Sequence, residues 1–86
     1  MRRVVVNGQA LALYQVDGTY YATAAICTHA EAELTEGRLE GCHVICPLHG
    51  AAFDIRTGRV LSPPAFKPLK TRPVRVRDGL VEVEFV

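Results

Sequence analysis

The stretch that decides the fold begins with Cys27-Thr28-His29 and ends with Cys46-Pro47-Leu48-His49. Residues 30–45 separate the two Cys–His pairs, which is roughly one hairpin of chain. Two thiolates and two imidazoles can therefore converge on one point. Thiolate is the soft ligand that holds iron–sulfur clusters and zinc, and imidazole suits iron or zinc equally. The pattern predicts a metal site.

The segments around the two pairs follow a recognisable order. After the first pair come Leu34-Thr35-Glu36-Gly37 and Leu39-Glu40-Gly41, and after the second come Gly50, Phe53-Asp54, Thr57-Gly58 and Ser62-Pro63-Pro64-Ala65. Over about residues 4 to 86 this order resembles the Rieske ferredoxin family, in particular the small ferredoxins of multicomponent ring-hydroxylating dioxygenases. In Rieske centres, two histidines replace two cysteines on one iron of a [2Fe–2S] cluster. The resemblance implies one such cluster, with the ligands Cys27, His29, Cys46 and His49.

The resemblance also implies roles for the residues that flank the ligands. Gly50 is expected to let the backbone approach the cluster closely, since glycine has no Cβ. Pro47 is expected to stiffen the second ligand loop. Ser62, Pro63 and Pro64 resemble the family's third loop, which shields the cluster.

Alternating apolar runs and Asx-Gly turns predict an all-β chain. Asn7-Gly8, Asp17-Gly18 and Asp78-Gly79 are hairpin signals, and no window has a convincing 3.6-residue period. The expected strands are 4–6, 11–16, 19–25, 38–40, 43–45, 51–55, 60–61, 74–77 and 80–86. The segment Ser62-Pro63-Pro64 is expected to be loop, because proline cannot pair in a central sheet.

The family resemblance implies the Rieske fold, a small antiparallel β-sandwich base with an inserted cluster-binding subdomain. The single domain, residues 1–86, would have its base at about 1–25 and 66–86 and its insertion at about 26–65. Family members usually start with an additional strand before the equivalent of Arg2-Arg3. Its absence is expected to leave a sheet edge unpaired, which proteins normally avoid.

Composition excludes several functions. A chain of 86 residues with a formal charge of +1 is one globular domain with no case for nucleic-acid binding. No apolar stretch approaches the ~20 residues of a membrane span, and the N-terminus does not resemble a signal peptide. We expect a cytoplasmic protein without a membrane anchor.

The charged residues are unevenly distributed along the sequence. Acidic residues concentrate at 31–40 and basic residues at 56–77. This pattern predicts either two solvated faces or a footprint that steers a redox partner.

Two further sequence features predict a carrier and not a catalyst. A mononuclear iron oxygenase needs two additional histidines and a carboxylate, but the chain has only three histidines. There is no G-x-G-x-x-G fingerprint for a nicotinamide or flavin cofactor. The predicted function is one-electron transfer from a separate NAD(P)H-dependent flavin reductase to a terminal oxygenase.

Two alternatives remain open at this point. One is the small subunit of an assimilatory nitrite reductase or a similar redox complex, which uses a similar domain. The other is a zinc-binding interaction module, since Cys42-x3-Cys46-x2-His49 is a plausible fragment of a zinc site. In the ferredoxin interpretation Cys42 is a free thiol, and His43 is a strand residue that faces solvent or a neighbour.

Overall fold

The computed structural model describes residues 1–28, 31–48, 50–63 and 65–84. This part of the chain forms short β-strands and one turn of 3-10 helix. The strands are β1 (Arg2–Val6), β2 (Gln9–Val16), β3 (Thr19–Ala24), β4 (Arg38–Glu40), β5 (His43–Ile45), β6 (Ala52–Asp54), β7 (Val60–Ser62), β8 (Thr71–Arg72), β9 (Val74–Arg77) and β10 (Leu80–Val83), and the 3-10 turn is Leu34–Glu36. Within the described residues, no helix is long and apolar enough to cross a membrane.

The strands form three antiparallel groups. The first sheet has the order β1-β2-β3-β8, the second has the order β4-β5-β6-β7, and β9 and β10 form a separate hairpin. All pairings in these groups are antiparallel. The predicted all-β class is therefore confirmed, and the strands at 38–40, 43–45 and 74–77 have the predicted bounds.

The Asx-Gly dipeptides form the tight turns that the sequence predicts. In each dipeptide both residues have positive φ: 51° and 75° at Asn7-Gly8, and 51° and 79° at Asp17-Gly18. Two consecutive positive φ angles define the type I′ turn, whose twist matches that of the flanking strands. The turn at Asp78-Gly79 has the same geometry and joins β9 to β10.

One apolar core joins the two four-stranded sheets. Tyr14 of β2 is packed into the same buried cluster as Val44 of β5 and Phe53 of β6. The Tyr14 hydroxyl lies 2.8 Å from the Thr23 hydroxyl, with which it hydrogen-bonds. Burial raises the pKa of Tyr14 to about 12, so the hydroxyl stays neutral. The buried, paired ring holds β2 and β3 against the second sheet.

Three local features differ from the prediction. Ser62 was predicted to be loop, but it ends β7 and pairs with Ala52. The restriction on proline applies only from Pro63, which lies in a turn after β7, so Ser62 remains free to pair as the last residue of the strand. The strand β8 was not predicted, and it pairs with β3 across a long loop. The predicted strand 80–86 is observed only to Val83, and residues 85–86 lie outside the described residues.

Two of the edge strands in the described part of the chain expose large apolar side chains on the base. β1 is at the edge of its sheet, and β10 pairs with β9 alone. Apolar side chains are exposed on both, with Val5 60% and Leu80 66% exposed. Arg3 of β1 also forms an ion pair with Glu33 at 2.6 Å, which ties this edge of the base to the segment after Ala32.

Candidate metal centre

Cys27 and Cys46 lie in the interior beside each other. Their exposed fractions are 4% and 2%, and both belong to the buried apolar cluster that includes Phe53 and Leu34. Cys27 follows β3, and Cys46 directly follows β5. The two side chains are close enough for their thiols to hydrogen-bond. Sequence positions nearly twenty residues apart thus supply one pair of sulfurs.

Two loops of equal length begin at these cysteines. The Cys27 backbone N–H donates to the Ala32 carbonyl at 2.9 Å, and the Cys46 N–H donates to the Ala51 carbonyl at 2.7 Å. In both loops the acceptor is five residues after the cysteine. This matched closure was not predicted from the sequence, because nothing in the local residue types specifies it. Each loop contains one of the predicted histidine ligands.

Burial governs the protonation of the Cys46 thiol. The pKa of Cys46 is raised mainly by burial, and the neighbouring Cys27 thiol raises it further, whereas a hydrogen bond from the Leu48 backbone N–H lowers it. A cation bound at this point would reverse the effect of burial, since a coordinating thiol is deprotonated outright. Binding of a metal cation here would therefore release the proton of Cys46.

Gly37 fits the 3-10 turn tightly against the second loop. A Cβ placed on Gly37 would lie 1.9 Å from the Ile45 carbonyl oxygen and 3.2 Å from Cδ of Pro47. No side chain can occupy that space. The close packing fixes the backbone just before Cys46, which is a role for Gly37 that the motif alone did not reveal.

A third segment, formed by residues 62–63 and 65–67, lies against both cysteine loops. The Ser62 hydroxyl donates to the Gly50 carbonyl at 3.3 Å, and the Thr28 hydroxyl donates to the Lys67 carbonyl at 2.7 Å. Ala65 is buried in the same cluster as the two thiols. Gly50 has a φ of 71°, a backbone conformation that favours glycine.

The comparison with known families identifies the chain. The family described as the Rieske [2Fe-2S] domain matches residues 1–73. The chain belongs to the Rieske family.

Named relatives specify the type of Rieske protein. The chain is 47% identical over 75 residues to the ferredoxin component of the naphthalene 1,2-dioxygenase/salicylate 5-hydroxylase systems of Ralstonia sp., covering 87% of this chain and 72% of the relative. It superposes with a TM-score of 0.91 and 44% identity on a chain of the complex of reduced oxygenase and oxidized ferredoxin in carbazole 1,9a-dioxygenase, covering 96% and 86% of the two chains. The Sphingomonas yanoikuyae B1 ferredoxin gives 0.89 and 41%, with coverage of 98% and 85%.

These comparisons confirm two of the predictions. The protein has the Rieske fold, and it is a ferredoxin of the kind that serves ring-hydroxylating dioxygenase systems. Such ferredoxins are electron carriers of these systems and not their catalytic enzymes.

The described residues fit a Rieske cluster. Two thiols that are buried side by side, each at the start of a closed loop, suit the iron of an iron–sulfur cluster. The predicted ligands His29 and His49 lie outside the described residues, as does Pro64 of the third loop. Pro47 and Pro63 are both exposed at the surface around the loops.

Cys42 does not share this site. It precedes β5, whereas Cys46 follows it, and an extended strand of that length separates its ends by roughly 13 Å. Two sulfurs at that separation cannot bind one zinc ion, whose Zn–S bonds are about 2.3 Å. Cys42 is a free, half-buried thiol at the other end of the sheet. The geometry therefore disfavours the zinc alternative.

His43 and Asp54 also lie at that other end. His43 is exposed and pairs in register with Asp54 of β6. Asp54 accepts two hydrogen bonds from the Arg56 guanidinium, at 3.0 and 2.9 Å, and these hydrogen bonds are the main reason that its pKa is lowered. This ion pair braces the end of β6 and does not contribute to the metal centre.

Proposed function

We propose that this Rieske ferredoxin carries single electrons from an NAD(P)H-dependent flavin reductase to a terminal oxygenase that hydroxylates aromatic rings, and that it does so in the cytoplasm. The observation that carries the proposal is the pair of buried thiols, Cys27 and Cys46, at the start of two loops of equal length. The relatives named above are ferredoxin components of dioxygenase systems, which supports the choice of partners.

We assign one [2Fe–2S] cluster to this site. Cys27 and Cys46 would hold its inner iron, because their thiols lie within the apolar core. His29 and His49 would hold its outer iron, an assignment supported by their positions two and three residues beyond the cysteines. When bound, this group supplies a one-electron redox couple. Thr28 and Leu48, which directly precede the two histidines, are exposed, so the chain at both positions approaches the surface.

The protein's own residues set the reduction potential of the site. Neutral imidazoles in place of two thiolates make the ligand set less negative, which favours acceptance of an electron. Rieske centres accordingly span about −150 to +300 mV, against about −400 mV for plant-type ferredoxins. High-potential members place a serine and a tyrosine hydroxyl near the sulfurs. The corresponding positions here are Ala51 and Phe53, which are fully buried and have no side-chain hydrogen-bond donor. We propose a potential at the low end of the Rieske range.

The same proposal divides the chain into two parts. Residues at about 26–65 form the cluster-binding subdomain, and those at about 1–25 and 66–86 form the base. This division is supported by the sheets, since β4 to β7 fall inside the first range, whereas β1 to β3 and β8 to β10 fall outside it.

An EPR spectrum of the reduced protein, with iron and acid-labile sulfide counted on the same sample, tests the proposed function. We expect two irons and two sulfides per chain, as a [2Fe–2S] cluster requires, and a low average g-value typical of mixed Cys/His ligation. Zinc near one equivalent without sulfide would contradict the assignment. Slow, salt-insensitive dissociation from one large subunit would instead indicate a fixed subunit of a redox complex.

Replacing either histidine with cysteine is expected to lower the reduction potential. His29→Cys or His49→Cys exchanges a neutral ligand for an anion, which disfavours the added electron. The potential of each variant that assembles a cluster is measured by redox titration followed by EPR. A potential equal to that of the unsubstituted protein would contradict the assignment of that histidine as a ligand.

A further inference from the structure

The exposed large apolar side chains of the described residues fall into two groups. One group lies on the base, at β1 and on the β9–β10 hairpin. The other lies on or beside the cysteine loops and the third segment: Ile26, Leu48, Leu61 and Phe66. Phe66 is 85% exposed, more than any other of these side chains. An isolated exposed leucine needs no explanation, but a fully presented aromatic ring beside a redox site does.

The backbone on both sides of Phe66 is fixed. Ala65, directly before it, is buried in the cluster that contains both thiols. The carbonyl of Lys67, directly after it, accepts the 2.7 Å hydrogen bond from Thr28, in the first cysteine loop. Adjacent Cα atoms are about 3.8 Å apart. Phe66 is thus held next to the metal centre while its ring points to solvent, so little ordering of the backbone is needed when a partner covers it.

The charges around Phe66 are positive. Lys67 and Lys70 are exposed, and the sequence from Arg56 to Arg77 contains no acidic residue. The exposed acidic side chains Glu31, in the first cysteine loop, and Glu36, in the 3-10 turn, lie before this segment in the sequence. A surface that receives Phe66 should therefore combine an apolar hollow with an acidic rim.

We propose that Phe66 anchors the protein on the terminal oxygenase that accepts its electrons. The ring enters an apolar hollow of that partner, and Lys67 and Lys70 meet acidic side chains at its rim. Buried aromatic anchors dominate the binding energy of such interfaces. The oxygenase, and not the reductase, is the chosen partner because a relative of 44% identity is known in complex with its oxygenase. This inference rests on the proposed function and names the contact that the function uses.

The test uses Phe66→Ala and, as a matched control, Leu80→Ala, which removes a side chain that is 66% exposed on the base. The holoproteins are reduced, and electron delivery is followed with purified terminal oxygenases of the naphthalene and carbazole systems. We expect Phe66→Ala to raise the KM for the oxygenase at least tenfold, with kcat, EPR spectrum and reduction potential unchanged. Phe66→Leu should restore most of the affinity, and Leu80→Ala should change the KM less than twofold.

Separate outcomes overturn the two proposals. If the unsubstituted holoprotein delivers electrons to neither oxygenase, the proposed function is contradicted. If it delivers them and Phe66→Ala leaves the KM unchanged, only the anchor is wrong. The anchor is also wrong if Leu80→Ala raises the KM equally, or if Phe66→Ala slows only the reduction by the flavin reductase.

Discussion

Cys27→Ser or Cys46→Ser is expected to abolish cluster assembly, whereas Cys42→Ser leaves the cluster intact. Serine is nearly the same size as cysteine, but its hydroxyl is a hard, weakly acidic group that does not replace thiolate on an iron–sulfur cluster. Both affected thiols are buried together, and Cys42 lies at the opposite end of β5. We expect iron and acid-labile sulfide to fall to trace levels in the first two variants, with loss of the visible absorption.

The Cys42 variant is the internal control for this experiment. It removes a thiol from the same chain without touching the paired loops, so its iron content and EPR spectrum should match those of the unsubstituted protein. Full iron content in Cys27→Ser or Cys46→Ser would contradict the ligand assignment. Loss of iron in Cys42→Ser would show that the metal centre extends to the far end of the sheet.

Gly58→Ala is expected to destabilise the protein strongly without removing a ligand. A Cβ on Gly58 would lie 2.0 Å from the Leu69 carbonyl oxygen, and its φ is +81°. The same residue donates to the Asp54 carbonyl at 2.7 Å and accepts from the Leu69 N–H at 2.8 Å, so the backbone cannot move without breaking these bonds. The positive φ is expected to lower the free energy of unfolding of the alanine variant by about 1–2 kcal/mol. The steric overlap with Leu69 is expected to lower it by about 1–3 kcal/mol more.

Gly18→Ala separates the two contributions to that loss. Gly18 has a nearly identical φ of +79°, but nothing lies within 4 Å of its Cβ position. The free energy of unfolding of Gly18→Ala should therefore fall only by the cost of the positive φ, about 1–2 kcal/mol. The midpoint of unfolding in denaturant measures both variants as holoproteins. Equal midpoints would mean that the contact with Leu69 relaxes at no cost, contrary to the expected difference.

Local signals explain how much of this structure could be predicted from the sequence. The turn at Asp17-Gly18 could be predicted because both residue types tolerate positive φ, which the hairpin needs. Cys27 and Cys46 could be selected as candidate ligands because the residue types and the family order agree. Their burial side by side was then found in the structure, and the family match confirms the fold.

The features that were missed depend on contacts that are distant in the sequence. Thr71-Arg72 of β8 is too short to show any periodicity, and it becomes a strand only because β3 presents a free edge to it. The prolines after Ser62 predict a loop there, whereas its pairing with Ala52 of β6 makes Ser62 the last residue of a strand. The equal closure of the two cysteine loops depends on where Ala32 and Ala51 are placed by the folded sheets.

The pairing of β3 with β8 has a consequence for the order of events during maturation. Thr23 lies opposite Thr71, so the ends of the intervening segment are joined by the base sheet. Bringing the two ends of this segment together costs loop-closure entropy, and that cost is met when the base sheet forms. Insertion of iron and sulfide would then require the ordering of only the two short cysteine loops. The base sheet would already hold the ends of the segment between β3 and β8 together, so an extended coil would not have to close at that step.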